Sequence, residues 1–150
     1  PAGCDDLFKY PGIFDFSQKA QPFEMFSFQG LNITPVPLVH SKLTMGYVIE
    51  VDDKRLAYLC DSGTLRRDVE DYLQTRPIDL MILDCDQPPL ENAPRNHNDL
   101  TRSLEIFEQV KPSQLVLTHI SHNLDEYFIH HPDSLPENVH IGYDNQAWSI

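Results

Sequence analysis

Basic side chains are scarce: 11 Lys and Arg stand against 23 Asp and Glu, a formal charge of −12 in 150 residues. Affinity for nucleic-acid backbones comes largely from Lys and Arg, so unassisted binding of RNA or DNA is disfavoured. An anionic small molecule is not excluded by this, because a bound divalent cation reverses the local field. Cysteine is scarcer still. Cys4, Cys60 and Cys85 are odd in number and far apart, which argues against a disulfide framework and for a reducing, cytoplasmic setting. No apolar run approaches the ~20 residues of a membrane span, and no stretch has the pattern of a signal peptide. Repeats, low-complexity tracts and linkers are lacking as well. There is no initiator Met, and the opening "PAGCDDLFKYPG" is expected to be the interior of something longer.

What is present suits one compact domain over residues 1–150, with 41% hydrophobic residues to build a core. The first 22 residues are turn-rich, broken by Pro1, Pro11 and Pro22, with a single helical turn expected at Asp5–Tyr10. Strand signals then follow in close order. "FEMFSF" ends at Gly30, "LNITPVPLV" leads to His40, and "GYVIEV" turns at Asp52-Asp53 into "RLAYLC". Pro35 and Pro37 mark the second of these as an edge strand or an irregular one.

After Asp61 the period changes. Leu65, Val69, Tyr72 and Leu73 share a helical face, and "DLMILDC" is a continuous apolar run of buried-strand type. A loop leads to a second helix traced by Leu100, Leu104, Phe107 and Val110, with Asp99 or Asn98 as N-cap and Pro112 beyond its end. "QLVLT" is another buried strand and "LDEYFIHH" a short helix, while "VHIGYD" with "QAWSI" predicts a terminal hairpin. A β-meander followed by β-α-β-α-β-α-β defines an α/β layered sandwich.

The residues that close the apolar strands are chemically alike. His40 follows "PVPLV", Asp61 follows "LAYLC", Asp84 closes "LMIL" and His119 follows "LVLT". Side chains at the carboxyl ends of strands in α/β sheets converge on one crevice. Two imidazoles and two carboxylates there suit a borderline or hard divalent ion. Taken singly, each has a plainer role: a solvated loop histidine, or an aspartate that opens a turn or caps a helix. Asp84 is open between a turn role and support of a site. His97, in the loop "APRNHNDL", has the chemistry of a proton donor to a leaving oxygen, or simply decorates a helix start. His122, three residues after His119, has a spacing that permits both on one metal, whereas His130, His131 and His140 have the character of surface residues.

"VHSKLTMGYVIE", "LAYLCDSG", "DLMILDCDQPP", "APRNHNDL" and "LTHISH" together resemble the C-terminal portion of the PhnP family, the metal-dependent cyclic phosphodiesterases of the carbon–phosphorus lyase pathway. That family belongs to the metallo-β-lactamase-fold hydrolases and is close in architecture to tRNA 3′-processing endonuclease. The likeness runs from "GCDDLF" to "GYDNQAWSI". It implies a four-layer αββα sandwich, of which this chain is roughly the C-terminal half. It further implies that His40 ligates one metal of a dinuclear site, Asp61 bridges both, His119 ligates the other, and His97 is the general acid. His122 would belong to a separate structural zinc site. Two divalent ions, manganese by preference or zinc, would serve hydrolysis of 5-phosphoribosyl 1,2-cyclic phosphate to ribose 1,5-bisphosphate in phosphonate catabolism.

The chain departs from the family in one respect. Neither the H-x-H-x-D-H motif nor the close-spaced cysteines of the zinc loop occurs in these 150 residues. His40, Asp61 and His119 alone are too few for two ions. The expectations therefore stand in order. The first is part of a cyclic phosphodiesterase, inactive as this fragment alone. The second is a related hydrolase such as an RNA-processing endonuclease, and the third a non-catalytic half-domain that oligomerises, a homodimer being one form, to cover an exposed sheet face. The expected partner is a small cyclic phosphate, with neither membrane nor nucleic acid.

Overall fold

The computed structural model describes residues 19–150 apart from Ala93, so the helical turn expected at Asp5–Tyr10 lies outside the described residues. Its order is β1 (Phe26–Phe28), β2 (Leu31–Leu38), β3 (Thr44–Val51), β4 (Lys54–Leu59), α1 (Arg67–Leu73), β5 (Leu80–Asp84), α2 (Leu100–Val110), β6 (Gln114–Thr118), α3 (His122–His130) and β7 (Val139–Ile141). The seven strands form one sheet in the order of the sequence. The first four are antiparallel and β4 to β7 parallel. The two-residue turn between β3 and β4 uses Asp52 at φ 52°, the left-handed conformation such hairpins need.

One register row shows where the core sits. Val48, Ala57, Met81, Leu115 and Val139 lie side by side across β3 to β7, and none is more than 4% exposed. They pack with Val69 and Leu73 of α1, Leu100, Ile106 and Val110 of α2, and Leu124 and Phe128 of α3. Three successive right-handed crossovers that step in one direction across a sheet place all their helices on one face. The neighbouring row, Tyr47, Tyr58 and Ile82, points the other way; Tyr58 is 42% exposed, with Tyr47 and Ile82 half-buried. One sheet and one helix layer are thus two of the four layers that an αββα sandwich has.

Two sequence expectations need correction. The run "FEMFSF" contributes only Phe26–Phe28 as strand. The terminal hairpin is absent among the described residues: β7 runs parallel to β6, and no strand follows it. The turn after β7 uses its hydrogen bonds locally, with Gln146 N–H donating to the Tyr143 carbonyl and its Oε1 accepting from Tyr143 N–H. Trp148 then rests its ring on His140, centroids 4.9 Å apart. The prolines behave as expected of an edge. The Pro35 carbonyl accepts from Phe23 N–H at 2.8 Å, so Pro35, and Pro37 two residues on, turn their nitrogens away from β3. On that outer side β1 pairs β2 only as far as Ile33.

The sheet and α1 are joined by a buried cation. Arg55, 2% exposed, stands on the helix face of β4 and donates to the carbonyls of Leu73 (3.0 Å), Arg76 (2.7 Å) and Tyr72 (3.2 Å). These carbonyls lie at and just beyond the end of α1, where helix acceptors lack intrahelical donors and a cation complements the helix dipole; that of Tyr72 accepts from Thr75 as well. Glu50 lies 3.6 Å from Nε, and the Tyr72 ring 5.2 Å from the guanidinium carbon. Replacing Arg55 with Ala is expected to lower stability by about 2–4 kcal/mol, because it removes the donors to three carbonyls at the helix end and leaves a buried space; Glu50 keeps Arg76 at 2.6 Å. Urea unfolding measures this. A Lys at the same place, which lacks the planar fork, should recover less than half of the loss.

Candidate metal and catalytic site

β2, β4, β5 and β6 run in the same direction, so their carboxyl ends meet at one edge of the sheet. The strand order never reverses, so the crevice there owes nothing to a topological switch and is built by the loops. Asp61, Asp84, His97 and His119 each bring one ligand atom to it, all within 4.8 Å of one another. His40 is not in that group of four. It stands beside it, its ring centroid 5.2 Å from that of His97. His97 in turn stacks on His119 at 4.5 Å and 19°.

The most deeply held group is Asp84, with no exposure. Its Oδ2 accepts from His97 Nδ1 at 2.8 Å, and its Oδ1 from Asn98 N–H at 3.0 Å. Its backbone carbonyl accepts from Asn98 Nδ2 and from Ser103 Oγ. Both carboxylate oxygens are therefore engaged, and the residue left open by sequence acts here as a support. An ionised carboxylate only accepts, so the proton of His97 is on Nδ1 and Nε2 faces the crevice with its lone pair. The His40 Nδ1 likewise faces a carbonyl, that of Asn96 at 2.9 Å, which leaves its Nε2 for other work.

Asp61 and His119 share an unusual backbone. His119 directly follows β6 and Asp61 follows β4 after Cys60, at positive φ of 62° and 59°, a conformation that costs a residue with a Cβ about 1–2 kcal/mol. The turn swings both side chains towards each other, with His119 Nε2 3.4 Å from Asp61 Oδ1. Sequence reading missed Asp86, whose Oδ1 is 3.7 Å from His119 Nδ1; the spacing of two aspartates in "DCD" was the available signal. Asn98, offered by sequence only as an alternative N-cap, is fully buried below His97 and donates to Asp84, while Asp99 caps the helix. Carboxylates and imidazoles with no basic side chain among the four fit a divalent cation of hard or borderline character.

His122 is elsewhere. It is the first residue of α3, exposed, and borders a separate recess of about 200 Å³ with Asp125 and Tyr143. The thiols do not fit a nucleophile. Burial pushes Cys60 above its ordinary value, with the Asp61 charge adding to this, and burial takes Cys85 up to about 12. Thiolate is the reactive form, and neither residue supplies it at neutral pH.

A protein-family model described as a β-lactamase superfamily domain matches residues 15–120, and the chain belongs to that family. Solved structures of the same fold include a diphosphatase of the PhnP family, with 24% identity, TM-score 0.71, and 85% of this chain aligned to 47% of that one. The metallo-β-lactamase-fold protein YhfI from Bacillus subtilis aligns with 15% identity and TM-score 0.75, over 97% of this chain and 62% of its own. Human tRNase Z, short form, aligns with 18% identity and TM-score 0.63, over 83% and 44%. The chain thus spans between 44% and 62% of the length of these three structures. No curated protein matches it.

Two outcomes follow from the geometry. Asp61→Gly should raise stability by about 0.5–1 kcal/mol, the relief of the left-handed turn less the added flexibility of the unfolded chain. The same variant should weaken Zn²⁺ or Mn²⁺ binding in calorimetry, and a lower urea midpoint would show that the turn holds no strain. In a Cys4→Ser background at about pH 8, iodoacetamide should leave Cys85 untouched in the native protein and modify Cys60 slowly, with both reacting fast in urea. Rapid native labelling of Cys85 would contradict its burial.

Proposed function

We propose that the chain carries the acid-donating and part of the metal-holding side of a metal-dependent phosphodiesterase that opens a cyclic phosphodiester. The observation behind this reading is the convergence of Asp61, Asp84, His97 and His119 within 4.8 Å at the carboxyl edge of the sheet. The reading adopts the substrate implied by the sequence resemblance, 5-phosphoribosyl 1,2-cyclic phosphate, opened to ribose 1,5-bisphosphate. The PhnP-family diphosphatase among the structural neighbours supports a phosphoester substrate.

His40, Asp61 and His119 would hold the ions, Asp61 between them, together with ligands from outside this chain. Manganese or zinc both accept such a donor set. When bound, such ions neutralise charge on phosphoryl oxygens and lower the pKa of water. The rest falls to the protein. His40 and His119 keep a nitrogen directed at the site because each ring's other nitrogen faces a carbonyl or carboxylate, Asn96 for His40 and Asp86 for His119. His97, held through Nδ1 by Asp84, offers Nε2 to the leaving alkoxide and delivers a proton to it when charged. The buried Asp84 carboxylate fixes the ring plane. His122 would take a structural zinc with partners outside the described residues.

His97→Ala is expected to slow hydrolysis of alkyl phosphodiesters about 100- to 1,000-fold and that of bis-(p-nitrophenyl) phosphate much less, with metal stoichiometry unchanged. An equal loss on both substrates would remove the acid assignment, and a lost ion would make His97 a ligand. With the remaining metal ligands supplied, EDTA should abolish turnover and Mn²⁺ restore it. The RNA-processing alternative predicts competition by structured RNA, which the charge of −12 disfavours.

A further inference from the structure

The first turn of α2 breaks a charge rule. Asp99 caps it by accepting from Arg102 N–H at 3.0 Å. The turn itself holds no acidic residue and places Arg102 third, where the helix dipole favours an anion. Arg102 has no carboxylate within ion-pair distance among the described residues. Its Nη1 instead donates to two backbone carbonyls far apart in sequence, that of Gly63 and that of Pro94 (2.9 Å). A residue that contradicts its local preference and makes specific bonds is more informative than one that follows it.

Those two carbonyls belong to the segments that carry Asp61 and His97. Gly63 N–H donates in turn to the Val39 carbonyl at 2.8 Å, next to His40. The segments touch so closely that a Cβ on Gly63 would stand 1.9 Å from the Arg95 carbonyl oxygen. Asp84 and Asn98 hold the base of the His97 loop from below. Its crest, Pro94–Asn96, is tied to the rest of the site by Arg102 and by the His40 ring.

We propose that Arg102 is a positioning residue for His97, fixing the crest of its loop on the Asp61 turn and so setting the imidazole's place over the metal-binding groups. The catalytic part of this claim rests on the proposed general-acid role of His97; the positional part does not. The test uses Arg102→Gln and Arg102→Lys in the protein in full. Two readouts are independent of turnover: the exchange rate of the Gly63 amide, and the NMR shift of the His97 ring, which lies in the ring current of His119.

Arg102→Gln should speed Gly63 exchange about tenfold and move the His97 shift towards its free value, with little change in urea midpoint. Arg102→Lys, which keeps donors for both carbonyls, should recover much of both. Where phosphodiesters are turned over, kcat on alkyl substrates should fall about 10- to 100-fold with KM nearly unchanged, the expected effect of a displaced proton donor. Unchanged exchange and ring shift would overturn the proposal. So would a loss that follows global stability alike in Gln and Lys variants. A wild type without phosphodiesterase activity would sink the proposed function only, and the two spectroscopic readouts would still decide the place of Arg102.

Discussion

A single desolvated carboxylate organises this molecule's chemistry. Asp84 closes β5 with no exposure to solvent, a position that is costly for a charge unless its lone pairs are taken. His97 and Asn98 take them, and they do so from the far end of a long loop. The loop must therefore fold back over the strand that it leaves. The Asn98 amide and Ser103 hydroxyl bind the same residue's carbonyl, so the loop's return also sets where α2 begins. A site histidine, a helix start and the closing of a loop all follow from satisfying one buried group.

Strain and support are divided between two sides of the crevice. Asp61 and His119 sit in left-handed turns at half-exposed positions, where local stability is given up for direction. His97 is braced from below by a buried partner. Under the proposed function, ligands that accommodate an ion and a donor that keeps a fixed line to a leaving atom would call for these two different mountings.

Much of this was legible in the chain. The change from a two-residue to a helical period after Asp61 placed the three helices of the described residues, and the apolar runs ending in His or Asp placed most of the candidate site, because strand direction alone brings those ends together. Pro35 and Pro37 marked β2 as an edge or irregular strand, and it is an edge only beyond Ile33, since β1 pairs with its first residues. The terminal hairpin was misread because "QAWSI" has strand-like composition while the turn before it consumes its own hydrogen bonds. Arg102 was invisible for another reason. Its bond to the Gly63 carbonyl spans 39 residues, and no local pattern encodes such a meeting. The role of Asp84 needed its burial, which composition leaves open.

The sheet order has a consequence for how the chain is made. Each strand from β2 to β7 lies against the one that precedes it in sequence, so no ladder waits for a later segment to be inserted between two earlier ones. Such an arrangement makes each parallel pairing close only one β-α crossover, the shortest loop a parallel sheet allows. It also suits growth from one end: as synthesis proceeds, each β-α unit has a finished edge to add to, and the edge it leaves is the template for the next. Order along the ribosome and order across the sheet are the same order.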